Sequence, residues 1–257
     1  MKRIIQITLF TLSVIGLITL TGFVMISNMH TNIANVEINI FRNNENGFIN
    51  SNQILSSIND IDSINKIQIS KVKNIDIEQA IMSNPYVDKV DSYVTIVGNL
   101  LVNVKEKQPI IRIYESGGQS YYLDEKGDIF PICQQYAPRV IIANGYIKEI
   151  VANPGGNITD SVYNKSVFKE LFELTKLINK NSLLKAQINQ IYVNSKGNFD
   201  LVPELGNHLI QFGTMEDAET KIRNLDAYYK KYLKTSIWDS YKTINLTYKN
   251  QIVCTKK

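Results

Sequence analysis

The sequence predicts an α+β chain in three parts: an N-terminal transmembrane helix, a small unit of order β-α-α-β-β, and a larger β-rich unit with two helices. Three observations carry this. Residues 4–27 form one uncharged, mostly apolar run. Residues 31–108 place two helix starts between an alternating segment and a hairpin, and residues 109–257 are mainly short alternating segments parted by turn residues.

No Asp, Glu, Lys or Arg lies between Arg3 and Glu37. About 20 such residues suffice for a helix to cross a bilayer, and in lipid only a structure that pairs its own backbone is viable. Lys2 and Arg3 are the only charges on the short side, so residues 1–3 are expected in the cytoplasm and the bulk of the chain outside it. A cleaved signal peptide fits less well, because its apolar core is about 7–15 residues long and ends in a small-x-small site. Here the run is longer and closes on Gly22-Phe23-Val24-Met25-Ile26-Ser27-Asn28, with no Cys nearby for a lipid anchor.

Of the 28 basic residues, Lys2 and Arg3 precede the run, leaving 26 against 24 acidic ones. Both signs are interspersed, which speaks against a nucleic-acid partner. The remaining length suits one large or two small domains. Cys133 and Cys254 could bridge in an oxidising compartment, but isolated thiols in strands are commonly small buried hydrophobes, and both readings stay open.

Between residues 31 and 108, Val36–Ile40 alternates as a half-buried strand does. Asn50 and Gln53, three apart ahead of Ile54, Leu55 and Ile58, suit a helix start. A second helix is expected from near Asp76, with Ile77, Ala80 and Ile81 buried and Asn84-Pro85 ending it. Two strands follow, Val90, Val94 and Ile96 facing one way on the first, with Gly98-Asn99 as a two-residue turn before Leu100, Val102 and Val104. One helix-covered face of a three-stranded sheet would bury these positions.

From residue 109 onward, Ile110, Ile111 and Ile113 precede Tyr114, and Ser120–Leu123, Asp124-Glu125-Lys126-Gly127 and Ile129-Phe130-Pro131 read as strand, turn, strand. The turn is preferred to a pair of catalytic carboxylates at Asp124 and Glu125. The helical spacing of Val167, Phe168, Leu171, Phe172, Leu174 and Leu177-Ile178 marks a core helix. Ile188–Val193, Phe199–Val202 and Leu209–Phe212 read as strands. A second helix starts at Thr214 to Asp217 and carries Ala218, Ile222, Leu225, Tyr229 and Tyr232 on one face, with Lys230, Lys231 and Lys234 at its negative pole. Residues 242–254 read as one closing strand: Ile244, Leu246 and Tyr248 point inward, Thr243, Asn245 and Thr247 outward, and Ile252 and Cys254 share the inward parity.

These features resemble the FtsQ/DivIB family of bacterial cell-division proteins. The resemblance rests on the anchor, the Asn84-Pro85-Tyr86-Val87 segment and the hairpin ending Leu100-x-Val102-x-Val104-x-Glu106-Lys107-x-Pro109. It continues through Tyr122-Leu123-Asp124-x-x-Gly127-x-Ile129-Phe130, Pro138 and Gly145. Tyr86 stands where that family often has Trp. The resemblance implies a membrane-proximal polypeptide-transport-associated (POTRA) domain at 31–108 and a C-terminal β domain at 109–257. It implies a non-enzymatic divisome scaffold in the inner membrane, enriched at the septum, that links FtsB- and FtsL-like partners and helps control septal peptidoglycan synthesis. The family's terminal strand supplies the edge used by partners, which points to Thr243, Asn245, Thr247, Tyr248, Lys249 and Gln251 as partner-binding residues. Strand addition, with main-chain bonds giving affinity, is the expected mode.

Chemistry-bearing motifs are missing: there is no G-x-S-x-G, P-loop, H-E-x-x-H or dinucleotide fingerprint. Only His30 and His208 are present, too few for a histidine metal cluster, and His208 is read as structural. Trp238, the one tryptophan, is read as packing at the end of the last helix. No cofactor, metal or small-molecule substrate is expected. Two rivals remain: a POTRA-bearing envelope chaperone or secretion component, and an anchored periplasmic cell-wall enzyme.

Overall fold

A computed structural model describes residues 2–29, 32–59, 68–149, 151, 155–232, 240–249 and 251–257. His30, Lys234 and Trp238 lie outside the described residues. The chain divides into two compact units, Met1–Lys107 and Gln108–Lys257.

The first unit opens with helix α1 (Lys2–Met29). Its window Gln6–Phe23 has mean hydropathy 1.7 and no burial within the protein, so the helix is long and apolar enough to cross a membrane. Strand β1 (Asn35–Phe41), helices α2 (Ser51–Asn59) and α3 (Asn74–Met82), and strands β2 (Val87–Val94) and β3 (Asn99–Glu106) follow. The sheet order is β1-β3-β2, with β1 parallel and β2 antiparallel to β3. Ile54, Ile58, Ile77 and Ile81 of the helices are buried with Leu100, Val102 and Val104 of the central strand. Val90 on the edge strand is only half-buried.

Local chemistry explains these boundaries. Asn50 Oδ1 accepts from the Gln53 amide at 2.9 Å and Gln53 Oε1 from the Asn50 amide at 3.0 Å. This reciprocal pair satisfies two amides that the first turn of α2 leaves free. Helix α3 begins at Asn74, two residues ahead of the expected start, and no side chain caps it. Asp76 instead sits within the first turn, where its charge favours the positive helix pole. The β2–β3 connection is also longer than the expected Gly98-Asn99 pair. Thr95–Gly98 form the loop, closed by Thr95 and Asn99 exchanging bonds of 2.8 and 3.0 Å. Gly98 takes φ +88°, and Ile96 leaves the sheet and is 89% exposed.

A buried carboxylate locks the entry to α2. Glu106, the last residue of β3, accepts from the amides of Phe48 and Ile49 at 2.9 and 3.4 Å. Arg42 approaches it to 3.7 Å and also donates to the Ile49 carbonyl. Phe48 stacks on Tyr86 with centroids 5.0 Å apart, so the residue that follows Asn84-Pro85 packs against the same loop.

The second unit contains β4 (Pro109–Tyr114), β5 (Ser120–Asp124), β6 (Ile129–Pro131), β7 (Ile141–Gly145), α4 (Val167–Asn179), α5 (Ser182–Gln187), β8 (Ile188–Val193), β9 (Phe199–Pro203), β10 (Leu209–Gly213), α6 (Ala218–Tyr232), β11 (Tyr241–Asn245) and β12 (Val253–Lys256). All its strands join one nine-stranded sheet, ordered β12-β11-β10-β9-β8-β7-β4-β5-β6. Helices α4 and α6 bury Leu171, Leu174, Leu225 and Tyr229 in one core with Ile113, Ile191, Leu201, Ile210 and Ile244 of the sheet. The short α5 is a third helix where two were expected. It is held by Asn181, whose Oδ1 accepts from the amides of Leu183 and Leu184.

Asp124 belongs to a turn: its Oδ1 accepts from the amides of Lys126 and Asp128 at 3.0 and 2.9 Å, and Gly127 takes φ +89°. The β7 strand, not anticipated from sequence, lies parallel to both β4 and β8 in the middle of the sheet. It ends at Gly145, φ +106°, where an added Cβ would lie 2.2 Å from the Val193 carbonyl oxygen.

Two outcomes follow. Ile81→Ala should lower the unfolding free energy of the first unit by about 2–5 kcal/mol, since a fully buried isoleucine leaves a cavity; chemical denaturation measures this. Gly145→Ala should destabilise the second unit by more than the roughly 1–2 kcal/mol of a left-handed non-glycine residue, because backbone must also shift; a smaller loss in the same measurement would refute the requirement.

Candidate functional site: the C-terminal sheet edge

The last part of the chain is two strands rather than the single closing strand expected over 242–254. The cause is Asn245. Its Oδ1 accepts from both the amide and the hydroxyl of Thr247, at 2.8 and 2.7 Å, while its Nδ2 donates to Gln211 Oε1 at 2.9 Å. Such side-chain bonds offer the backbone an alternative to the ladder, and β11 stops there. Thr247, Tyr248, Lys249 and Gln251 lie in the connection to β12 and are exposed. Ile244 and Leu246 are buried as expected, but Tyr248 is 51% exposed rather than in the core.

This break changes which backbone forms the edge. Strand β11 is parallel to β10 on one side and antiparallel to β12 on the other, so its outer edge is already paired. The Leu246 amide donates to the Gln211 carbonyl on the β10 side at 2.9 Å. Because successive residues alternate direction, Ile244 also faces β10, while Thr243 and Asn245 face β12, opposite Thr255 and Val253. The Lys257 amide donates to the Ser240 carbonyl at 3.1 Å, which gives β12 the same parity. Cys254 and Lys256 therefore carry their N–H and C=O groups on the outer side of β12.

The two ends of the sheet differ. At the β6 end, the Ile129 amide donates to the Gly156 carbonyl and the Gly155 amide donates to the Ile129 carbonyl, at 2.9 and 3.0 Å. A loop thus covers that edge. At the β12 end, no further strand follows among the described residues.

A groove of about 520 Å³ runs beside the β12 edge, between the second half of α6 and the last strands. Tyr228, Tyr232, Tyr241, Ile252 and Cys254 line it, with Lys231 at its rim. Tyr228 and Tyr232 pack with centroids 4.9 Å apart, and Lys231 Nζ lies 5.2 Å over the Tyr232 ring. Burial raises the pKa of the Cys254 thiol and of the Tyr228 hydroxyl that lines the same groove. Both groups stay neutral at ordinary pH. Lys231, Lys242, Lys249, Lys256 and Lys257 are all exposed around this end of the sheet.

The other candidates from sequence are structural in their surroundings. His208 is buried, its Nε2 2.8 Å from the Tyr229 hydroxyl. It ties the loop before β10 to α6. Cys133 and Cys254 are both free thiols. Glu125 is exposed on its turn.

A family model described as FtsQ/DivIB, C-terminal related, matches residues 108–255. A second, described as a POTRA-like domain, matches residues 32–105. Comparison with curated proteins returns no match. The two models account for both compact units in the order found here, and the chain belongs to the FtsQ/DivIB family, whose domains support a scaffold role in cell division.

Proposed function

We propose that this protein is a non-enzymatic, single-pass scaffold of the divisome. In this reading α1 crosses the inner membrane with its N-terminus in the cytoplasm, and both units lie in the periplasm at the septum. There the protein gathers FtsB- and FtsL-like partners and so helps control septal peptidoglycan synthesis. Anchoring confines the encounters to two dimensions and raises effective concentration.

The observation that carries the reading is the outer edge of β12 beside the groove. An open edge is a template for uncontrolled pairing unless managed, and the opposite edge of the same sheet is covered by residues 155 and 156. A partner strand would pair with the outward groups of Cys254 and Lys256, and its alternate side chains would reach the tyrosine-lined groove. Of the residues first assigned to partner binding, Thr247, Tyr248, Lys249 and Gln251 would form the rim of this site. Thr243 and Asn245 would act through β12, which they hold.

Proline separates the two sides of β12, because it removes one amide donor and is tolerated where that donor faces away from the sheet. In the full-length protein, Lys256→Pro should abolish binding of the extracytoplasmic segment of an FtsB-like partner while circular dichroism and thermal midpoint stay near wild type. Thr255→Pro, on the inward parity, should lower the thermal midpoint. Normal binding by a folded Lys256→Pro protein would sink the strand-addition reading. A fluorescent fusion spread evenly around the envelope of dividing cells would sink the divisome reading.

A further inference from the structure

The two most exposed large apolar side chains among the described residues are neighbours: Ile96 at 89% and Val97 at 76%. They occupy the tip of the β2–β3 hairpin. An exposed apolar tip of this kind marks a contact surface, and chain geometry indicates what the contact is.

The tip lies at the end of the sheet nearest the end of α1. The Ala34 amide donates to the Gly98 carbonyl at 3.0 Å, and Ala34 is five residues beyond Met29, the last residue of α1. Five residues span at most about 18 Å fully extended. Asn32, three residues beyond the helix, bridges to Gln68, directly before the 3-10 turn Ile69–Lys71. That turn packs on the hairpin: a Cβ added at Gly98 would lie 3.2 Å from Ile69 Cδ1. Lys71 and Lys73 are exposed beside it, Lys73 with Asp76 at 3.9 Å. Ile75, on the first turn of α3, is a further apolar side chain there, 68% exposed.

We infer that the hairpin tip Ile96-Val97, together with Lys71 and Lys73 on and just after the turn that packs on the hairpin, is a second membrane contact that seats the first unit on the outer leaflet of the bilayer that α1 crosses. The inference rests on the reading of α1 as a membrane anchor. Three features fit a lipid surface. The apolar pair stands at the tip, where it can enter the headgroup–acyl boundary, a layer about 5–10 Å deep. The lysines are exposed on and just after the turn that packs on the hairpin, and from there their long stems can cover apolar surface while their ammonium groups meet anionic headgroups. The short tether from α1 holds the tip within reach of that layer at every moment, so a weak contact is enough to fix orientation.

The test uses the full-length chain with Cys133→Ser and Cys254→Ser, reconstituted in phosphatidylcholine–phosphatidylglycerol vesicles carrying nitroxide lipids. An environment-sensitive fluorophore is placed singly through Val97→Cys at the tip, Leu12→Cys within α1, or Glu45→Cys in the loop after β1. Quenching at positions 12 and 97 with none at 45, and loss of the quenching at 97 when Ile96→Glu is added, is the expected result. Quenching at 12 with none at 97 overturns the tip contact and leaves the anchor intact. A blue shift at 97 without quenching assigns the tip to a protein neighbour and also overturns it. No quenching at 12 removes the anchor and this inference together.

Discussion

The second unit depends on one apolar layer, the face of the nine-stranded sheet that α4 and α6 cover. Alternate residues of β4, β8, β9, β10 and β11 point into it, and burial of such side chains is the main favourable term in folding. The layer also decides where the chain can go after β10. Helix α6 must lie on the sheet to bury Leu225 and Tyr229, and the His208–Tyr229 contact fixes its position along the sheet. The chain then re-enters the sheet as β11, parallel to β10, and folds back as β12. The terminal edge is thus a product of core packing several strands away.

Both ends of the sheet face the problem of unpaired backbone, and they meet it differently. Strand β6 is short, ends in Pro131, and is bonded by a glycine pair from a distant loop. Strand β12 is one residue longer and carries Lys256, with more lysines around it. Charge on an edge discourages promiscuous pairing without forbidding a complementary strand. The asymmetry is a property of the fold in its own right: a loop bonds one end of the sheet, and lysines surround the other.

Signals held within a few residues were legible in the sequence. Asn50 and Gln53 announce α2 because both halves of the capping pair lie three residues apart. Strand β9 alternates cleanly between turns, and β8 and β10 alternate apart from one irregularity each. The misses have physical causes. Helix α3 is expected from near Asp76, but it starts at Asn74 with no capping side chain to mark the spot, and Asp76 serves the helix pole from inside the first turn. Ile141–Gly145 shows no alternation in sequence because its outer face carries an apolar residue, Ile142, which is 38% exposed between buried Ile141 and Ala143. The closing strand reads as continuous because Ile244, Leu246, Tyr248, Ile252 and Cys254 share one parity, with Asn250 the one polar residue among them. The Asn245 side chain competes with the ladder through its bonds to Thr247 and is tied to Gln211, which tertiary structure brings close. The structure therefore places β12, and not the segment after Thr243, at the outer end of the sheet.

The parallel pairing of β1 with β3 has a mechanical consequence. Strand β1 begins just after α1, and β3 ends at the boundary with the second unit, and the two run side by side from Asn35 and Asn99 to Phe41 and Lys105. Tension applied between the start of β1 and the end of β3 is directed along the strands and loads every bond of the ladder at once. Such a shear arrangement resists until the whole ladder yields, whereas an unzipping geometry would give way one bond at a time. The first unit is in this sense a stiff coupling along the chain, able to pass a pull from one of its ends to the other without lengthening.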